Sequence, residues 1–263
     1  MAKNKLALIT GSTAGIGFAI AEKMARHGQF DVIINGRTEE RVNKAINQLL
    51  AEGVNKARLH GVAADLSTVE GIQKVQELFP DIDVLVNNFG IFEPKDFADI
   101  TDGDWEKMWN ANFMSGARLS RYYFPRMLSK NSGRVIFISS ESAVQIPVEM
   151  IHYGVTKTAQ VALARGMAEA AANTKVTVNS ILVGPTKSEG VGTFLKQLAE
   201  KDQVSEAEVE KNFFKTARPT SLLKRFIKPE EVGALVAFVS SDEASAITGA
   251  ALRVDGGLLK GIL

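Results

Sequence analysis

Short β-branched or aliphatic runs recur along the chain at 6–9, 32–35, 58–62, 84–86, 135–138, 177–181 and 251–254, and each predicts a strand. Between them apolar residues fall at helical spacing, as at Ile16, Ala19, Ile20 and Met24. Nearly continuous apolar strands separated by helices of ten or so residues belong to a parallel sheet covered on both faces. The expected fold class is therefore α/β, with a doubly wound parallel sheet. No internal repeat, low-complexity tract or linker divides the chain, so residues 1–263 are read as one domain. The irregular region is 186–225, whose charged, helix-like centre at 196–215 predicts an excursion at the ligand edge, a lid.

Composition narrows the function. A formal net charge of +1, with 45% hydrophobic and 23% charged residues, gives no electrostatic case for nucleic acid or a membrane surface. With no cysteine, disulfides, thiolate zinc sites and cysteine nucleophiles are excluded, and a cytoplasmic location is expected. The apolar run at 6–9 is too short for a signal-peptide core, and none approaches a membrane helix. The three histidines, His27, His60 and His152, lack metal-ligand spacing, so no metal is expected.

The first strand runs into Thr10-Gly11-Ser12-Thr13-Ala14-Gly15-Ile16-Gly17 and then a helix. Gly11 permits the sharp turn, Gly15 lets backbone approach a diphosphate, and Gly17 lets the helix pack closely; the helix start offers N–H groups to the anion. This arrangement predicts a dinucleotide cradle of the Rossmann type. No G-x-x-x-x-G-K-[ST] occurs, which disfavours a P-loop enzyme. The second strand ends in Asn35-Gly36-Arg37, where a carboxylate would repel a 2′-phosphate and a guanidinium binds one, so NADP(H) is preferred and NAD(H) remains possible.

A strand ending in Ser139 and Ser140 is followed by Tyr153 and Lys157, four residues apart. In a helix over 152–166 that spacing sets phenol and ammonium on one face. A cation there would lower the phenol's pKa and make it a proton shuttle, while also reaching the nicotinamide ribose. No G-x-S-x-G elbow occurs, so a serine hydrolase is disfavoured.

In this order the motifs resemble the short-chain dehydrogenase/reductase family across essentially the whole chain. Thr10 to Gly17 resembles its cofactor turn; Asp65-Leu66 its adenine pair, although Asp65 can equally stand beside a helix cap at Ser67; Asn87-Asn88-Phe89-Gly90 its N-N-A-G motif. Ser140, Tyr153 and Lys157 resemble its catalytic set, and Asp255-Gly256-Gly257 its carboxyl end. The fourth catalytic position is given to Asn112, with Asn110 as rival, because Pro125 then falls where a family proline ends that helix. By resemblance Asn112 would hold a water near Lys157.

Gly184-Pro185-Thr186 resembles the segment that meets the carboxamide, with Thr186 and Ser188 as rivals for that contact, and Phe89 in place of the usual alanine is expected to narrow the space beside the cofactor. The implied activity is hydride transfer between NADP(H) and a small carbonyl or alcohol substrate in a homodimer or homotetramer; the competing class is a sensor or scaffold that binds the dinucleotide without turnover. Substrate walls are expected at 141–150, after Gly90, and in 186–225 with Phe194, Leu195, Phe213 and Phe214. Glu141 and His152 are read as a solvated carboxylate and a helix-start histidine, with polar contact to the substrate as the alternative, and the apolar tail 258–263 as a segment that could reach a neighbour.

Overall fold

The computed structural model describes residues 4–188, 191–192, 196, 199 and 203–262. Seven strands, β1 (Lys5–Ile9), β2 (Phe30–Gly36), β3 (Leu59–Ala63), β4 (Val84–Asn87), β5 (Gly133–Ser140), β6 (Val176–Val183) and β7 (Ala251–Val254), form one sheet in the order β3-β2-β1-β4-β5-β6-β7. Every pairing is parallel. The predicted runs locate all seven strands, and pairing extends several of them, so that 135–138 becomes the eight residues of β5.

Alternation along each strand splits the core into two layers. Ala7, Ile9, Val32, Ile34, Ile136 and Ile138 face helices α1 (Gly15–Arg26), α2 (Glu39–Ala51) and α8 (Pro229–Ser240), which bury Ile20, Met24, Leu49, Val232 and Val236 against them. Leu8, Ile33, Leu85, Val135 and Phe137 face α3 (Val69–Leu78), α5 (Ser115–Lys130) and α6 (Ile151–Ala170). The remaining helices are α4 (Asp102–Trp109) and α7 (Glu206–Thr216).

Side-chain caps start four of these helices: Thr38 for α2, Thr68 for α3, the reciprocal pair Thr101 and Asp104 for α4, and Ser205 for α7. The cap of α3 is thus Thr68 and not Ser67, whose hydroxyl instead donates to Asp65 Oδ1 at 2.7 Å. Between α4 and α5 the rod passes through one π-helical turn, Asn110–Met114. Contrary to expectation α5 does not end at Pro125; it continues to Lys130, held on the core by Met127, and stops at Asn131 with φ 50°. Of the expected apolar tail, Leu258 and Leu259 are buried against Ala143 and Leu182 of their own chain, while Ile262 is exposed.

Strand order reverses between β1 and β4, and the loops leaving their carboxyl ends carry the glycine turn and Asn88 to Gly90. In open parallel sheets ligands bind at that crevice.

Candidate active site

The glycine turn is built from contacts that leave no room for side chains. Gly11 and Gly15 have φ of 62° and 57°. A Cβ on Gly17 would lie 2.4 Å from Gly11 O and 2.5 Å from Asn88 Nδ2. Asn88 Nδ2 donates to Thr10 O and Gly11 O at 2.8 and 3.2 Å, joining the end of β4 to the turn, and Asn35 Oδ1 accepts from Gly11 N at 3.0 Å. Ser12 is spent on the turn itself: its hydroxyl donates to Ile9 O and accepts from Asn35 N. Thr13 packs against Gly36, where a Cβ would come within 2.4 Å of Thr13 Cγ2. Unlike α2, α3 and α4, α1 has no side-chain cap, its N-cap being Ala14, and Ile16 sits in its first turn. A narrow, uncapped helix start lined by backbone suits a diphosphate.

Around this cradle, Arg37 is exposed at the end of β2 and makes no hydrogen bond or ion pair among the described residues. Leu66 gives its side chain to the core, and Asp65 binds Ser67. Phe89 leans on the second core layer, with its Cα 3.1 Å from where a Gly11 Cβ would be. On the far side, Thr186 is buried with its hydroxyl donating to Gly184 O, and Pro185 O accepts from Ile227 N. Its rival Ser188 lies across the glycine turn, 3.3 Å from a Cβ placed on Gly15.

The second half of the site stands at the end of β5 and the start of α6. Helical geometry sets Tyr153 and Lys157 on one face, with Lys157 Nζ 5.6 Å from the phenol ring centre. Lys157 Nζ donates to Ile138 O at 2.9 Å and Gln160 Oε1 at 3.3 Å. Ser140 Oγ caps the turn that follows β5 by accepting from Ser142 N at 3.1 Å, and donates to Glu141 Oε2. Asn112 lies wholly buried in the π turn; its amide donates to Ile91 O and Thr156 Oγ1, and its Oδ1 accepts from Ile91 N. The rival Asn110 faces away, accepting from Arg118. Gly90 completes the group, since a Cβ on it would lie 3.0 Å from Asn112 Oδ1 and 3.6 Å from Lys157 Nζ.

Electrostatics depart from the expectation. Burial raises the Tyr153 pKa above its usual 10.0 and the Glu141 carboxylate adds to the rise, outweighing a hydrogen bond with Ser140 and the Arg218 charge. The expected lowering by Lys157 is therefore overturned: the ammonium is turned to Ile138 and Gln160, and is itself depressed by burial to about 8. A phenol held protonated is a proton donor.

Arg218 and Gln160 escaped the sequence, and Glu141 departs from its expected exposure. Glu141 is not solvated: at 5% exposure it pairs with Arg218, whose Nε donates to Glu141 Oε1 at 3.3 Å, while Arg218 Nη1 donates to Glu149 Oε1 at 3.1 Å. His152 is buried beside Trp105, their ring centres 6.0 Å apart, and burial lowers its pKa. Gln160, buried too, reaches both Lys157 and the π turn. Of the expected wall residues, Phe213 and Phe214 pack with Phe226 in a small aromatic cluster, and Phe194 and Leu195 lie outside the described residues.

Known proteins share this arrangement. The family model described as enoyl-(acyl carrier protein) reductase matches residues 11–259. The chain is 47% identical over 260 residues to the uncharacterized oxidoreductase YvaG of Bacillus subtilis, covering 99% of this chain and 98% of that one. It is 33% identical to the 3-oxoacyl-(acyl-carrier-protein) reductase FabG of Aquifex aeolicus, covering 97% and 98%. The structure of L-sorbose reductase from Gluconobacter frateurii, complexed with NADPH and L-sorbose, superposes with a TM-score of 0.89 at 30% identity, covering 99% and 98%. The chain belongs to the short-chain dehydrogenase/reductase family of oxidoreductases. Among the described residues no helix is long and apolar enough to cross a membrane, and no three acidic, histidine or cysteine side chains gather as a metal centre requires.

Proposed function

We propose that the chain is an NADP(H)-dependent reductase that converts a small carbonyl compound to its alcohol, with Ser140, Tyr153, Lys157 and Asn112 as its catalytic group. The observation that carries this reading is the convergence of Tyr153, Lys157 and Ser140 at the same sheet edge as a glycine turn with positive φ at Gly11 and Gly15 and no room for a Cβ at Gly17. Gly11, Thr13, Gly15, Ile16 and Gly17 would hold the diphosphate, with Ser12 bracing the turn from within. Arg37 would hold the 2′-phosphate; Asp65, Leu66, Asn88 and Gly90 would line the adenosine side; Tyr153 and Lys157 would meet the nicotinamide ribose, and Pro185 and Thr186 the carboxamide. When bound, the dinucleotide supplies the hydride.

The protein's own work is proton chemistry. Ser140 and Tyr153 hydroxyls would bind the substrate oxygen, and Tyr153 would deliver its proton there as negative charge develops. The phenol, raised above its usual pKa by burial, holds its proton at neutral pH, but the same shift makes it a weaker acid, so delivery depends on stabilising the phenolate. Lys157 would stabilise the phenolate left behind. The L-sorbose reductase named above and an actinorhodin polyketide ketoreductase, 27% identical with a TM-score of 0.85, were determined with NADPH, which supports the choice of cofactor. NAD(H) is the weaker alternative. Cytoplasmic location and assembly as a homodimer or homotetramer belong to the same reading, and light scattering tests the latter.

The deciding experiment is NADPH oxidation against a panel of aldehydes, ketones, ketoses and acyl thioesters, comparing wild type with Tyr153→Phe. Tyr153→Phe should bind NADPH normally while turnover falls about 10²–10⁴-fold, the worth of a lost general acid. Tight NADPH binding with no turnover on any carbonyl would favour a sensor or scaffold instead.

A further inference from the structure

Gln160 sits three residues beyond Lys157 on α6, at 1% exposure, with both ends of its amide engaged. Its Oε1 accepts from Lys157 Nζ at 3.3 Å, and its Nε2 donates to the main-chain oxygen of Asn112 at 2.5 Å. Asn112 belongs to the π turn, and its own side chain is taken up by Ile91 and Thr156 rather than by Lys157. The only direct side-chain link between Lys157 and the π turn among the described residues is therefore the Gln160 amide.

We propose that Gln160 is a positioning residue for Lys157, its amide tying the ammonium to the Asn112 carbonyl in the place where solvent would otherwise join them. The inference rests on the reading of Lys157 as the partner of the proton donor. An aliphatic residue of similar size would fill the same space on α6 but leave two costs. The ammonium would lose an acceptor in a buried site, and a buried carbonyl would lose its donor. A side-chain amide has no proton to give near neutral pH, so the link is a tether and not a conduit.

The tether makes a signed claim about Lys157, because an acceptor stabilises the charged amine. The titratable groups facing this amine are Tyr153 on its own helix and Glu141 after β5, with Arg218 behind Glu141, and none is altered by changing Gln160. The full-length protein would be labelled with ¹³C at lysine Cε, the Lys157 resonance assigned by its loss in Lys157→Met, and its titration followed in wild type, Gln160→Met and Gln160→Glu. The Met variant should titrate about one pH unit lower and the Glu variant about one unit higher, as expected for losing a charge-assisted bond and for gaining an opposite charge. Opposite shifts from two side chains of similar size cannot come from packing. Equal midpoints in all three proteins, or shifts of the same sign, would overturn the proposal. NADPH affinity measured on the same samples separates the two claims. If wild type binds no NADPH the parent reading fails, while the titration still judges the tether.

Discussion

Arg218 closes over Ser140 through Glu141, forming a buried ion pair between residues 77 positions apart, with Nε 3.3 Å from Oε1. Glu141 also accepts from Ser140, so one carboxylate joins the end of β5 to the segment after α7. Removing the guanidinium strands that carboxylate. Arg218→Met should cost about 3–5 kcal/mol of stability, the range for a buried charge left alone. Glu141→Gln together with Arg218→Met should recover most of it. Urea unfolding of Arg218→Met, Glu141→Gln and the double variant checks both statements, and additive losses in the double variant would show that the pair is not coupled.

Cofactor choice is tested at Arg37, which has no partner to lose among the described residues. Arg37→Ala should weaken NADPH binding about 10–100-fold, the worth of one charge-assisted phosphate contact, and leave NADH affinity nearly unchanged. Fluorescence titration with both dinucleotides reads the ratio. A parallel loss for the two would remove Arg37 from phosphate recognition.

Two glycines should answer alanine in opposite ways. Gly17→Ala drives a Cβ into Gly11 O and Asn88 Nδ2, so it should lose about 1–3 kcal/mol and most dinucleotide affinity. Gly166→Ala meets nothing within 4 Å inside α6 and should gain about 0.5–1 kcal/mol from helix propensity. Thermal unfolding of both proteins, read beside NADPH titration, gives the contrast.

Lys157 also predicts a pH dependence of stability. Its folded pKa is about 8 against an ordinary 10.5, so between these values the unfolded chain binds a proton that the folded protein releases. Stability contributed at this position therefore rises as pH increases from 8 toward 10, before ionisation of Tyr153 in the unfolded chain opposes it. Lys157→Met should flatten that rise. Denaturant midpoints across this interval would show no difference in slope if burial did not depress the amine.

The strands and the Tyr153 and Lys157 pair were legible because they rest on local periodicity: β-branched runs for one, a spacing of four for the other. Cap identity was less so, since Ser67 and Thr68 are equally good caps until the backbone chooses Thr68. Arg218 could not be read, because nothing near it in sequence marks its partner across 77 residues. Gln160 looks like any polar helix residue until both ends of its amide are seen to be buried. The direction of the Tyr153 shift escaped for a related reason: the sequence gives a cation at the right spacing but not the dryness around the phenol or the carboxylate of Glu141.

The wide turn at Asn110–Met114 spends one more residue than a regular turn on about the same rotation. Deleting one residue there would restore a regular rod and leave its two ends nearly in phase. Trp105 would stay beside His152, and Asp104 beside Lys95, which it holds at 2.6 Å. What the stretch would lose is the bulge that carries Asn112 between Ile91 and Thr156. Shortening is therefore open to the packing of this stretch as drift proceeds, and its cost falls on Asn112.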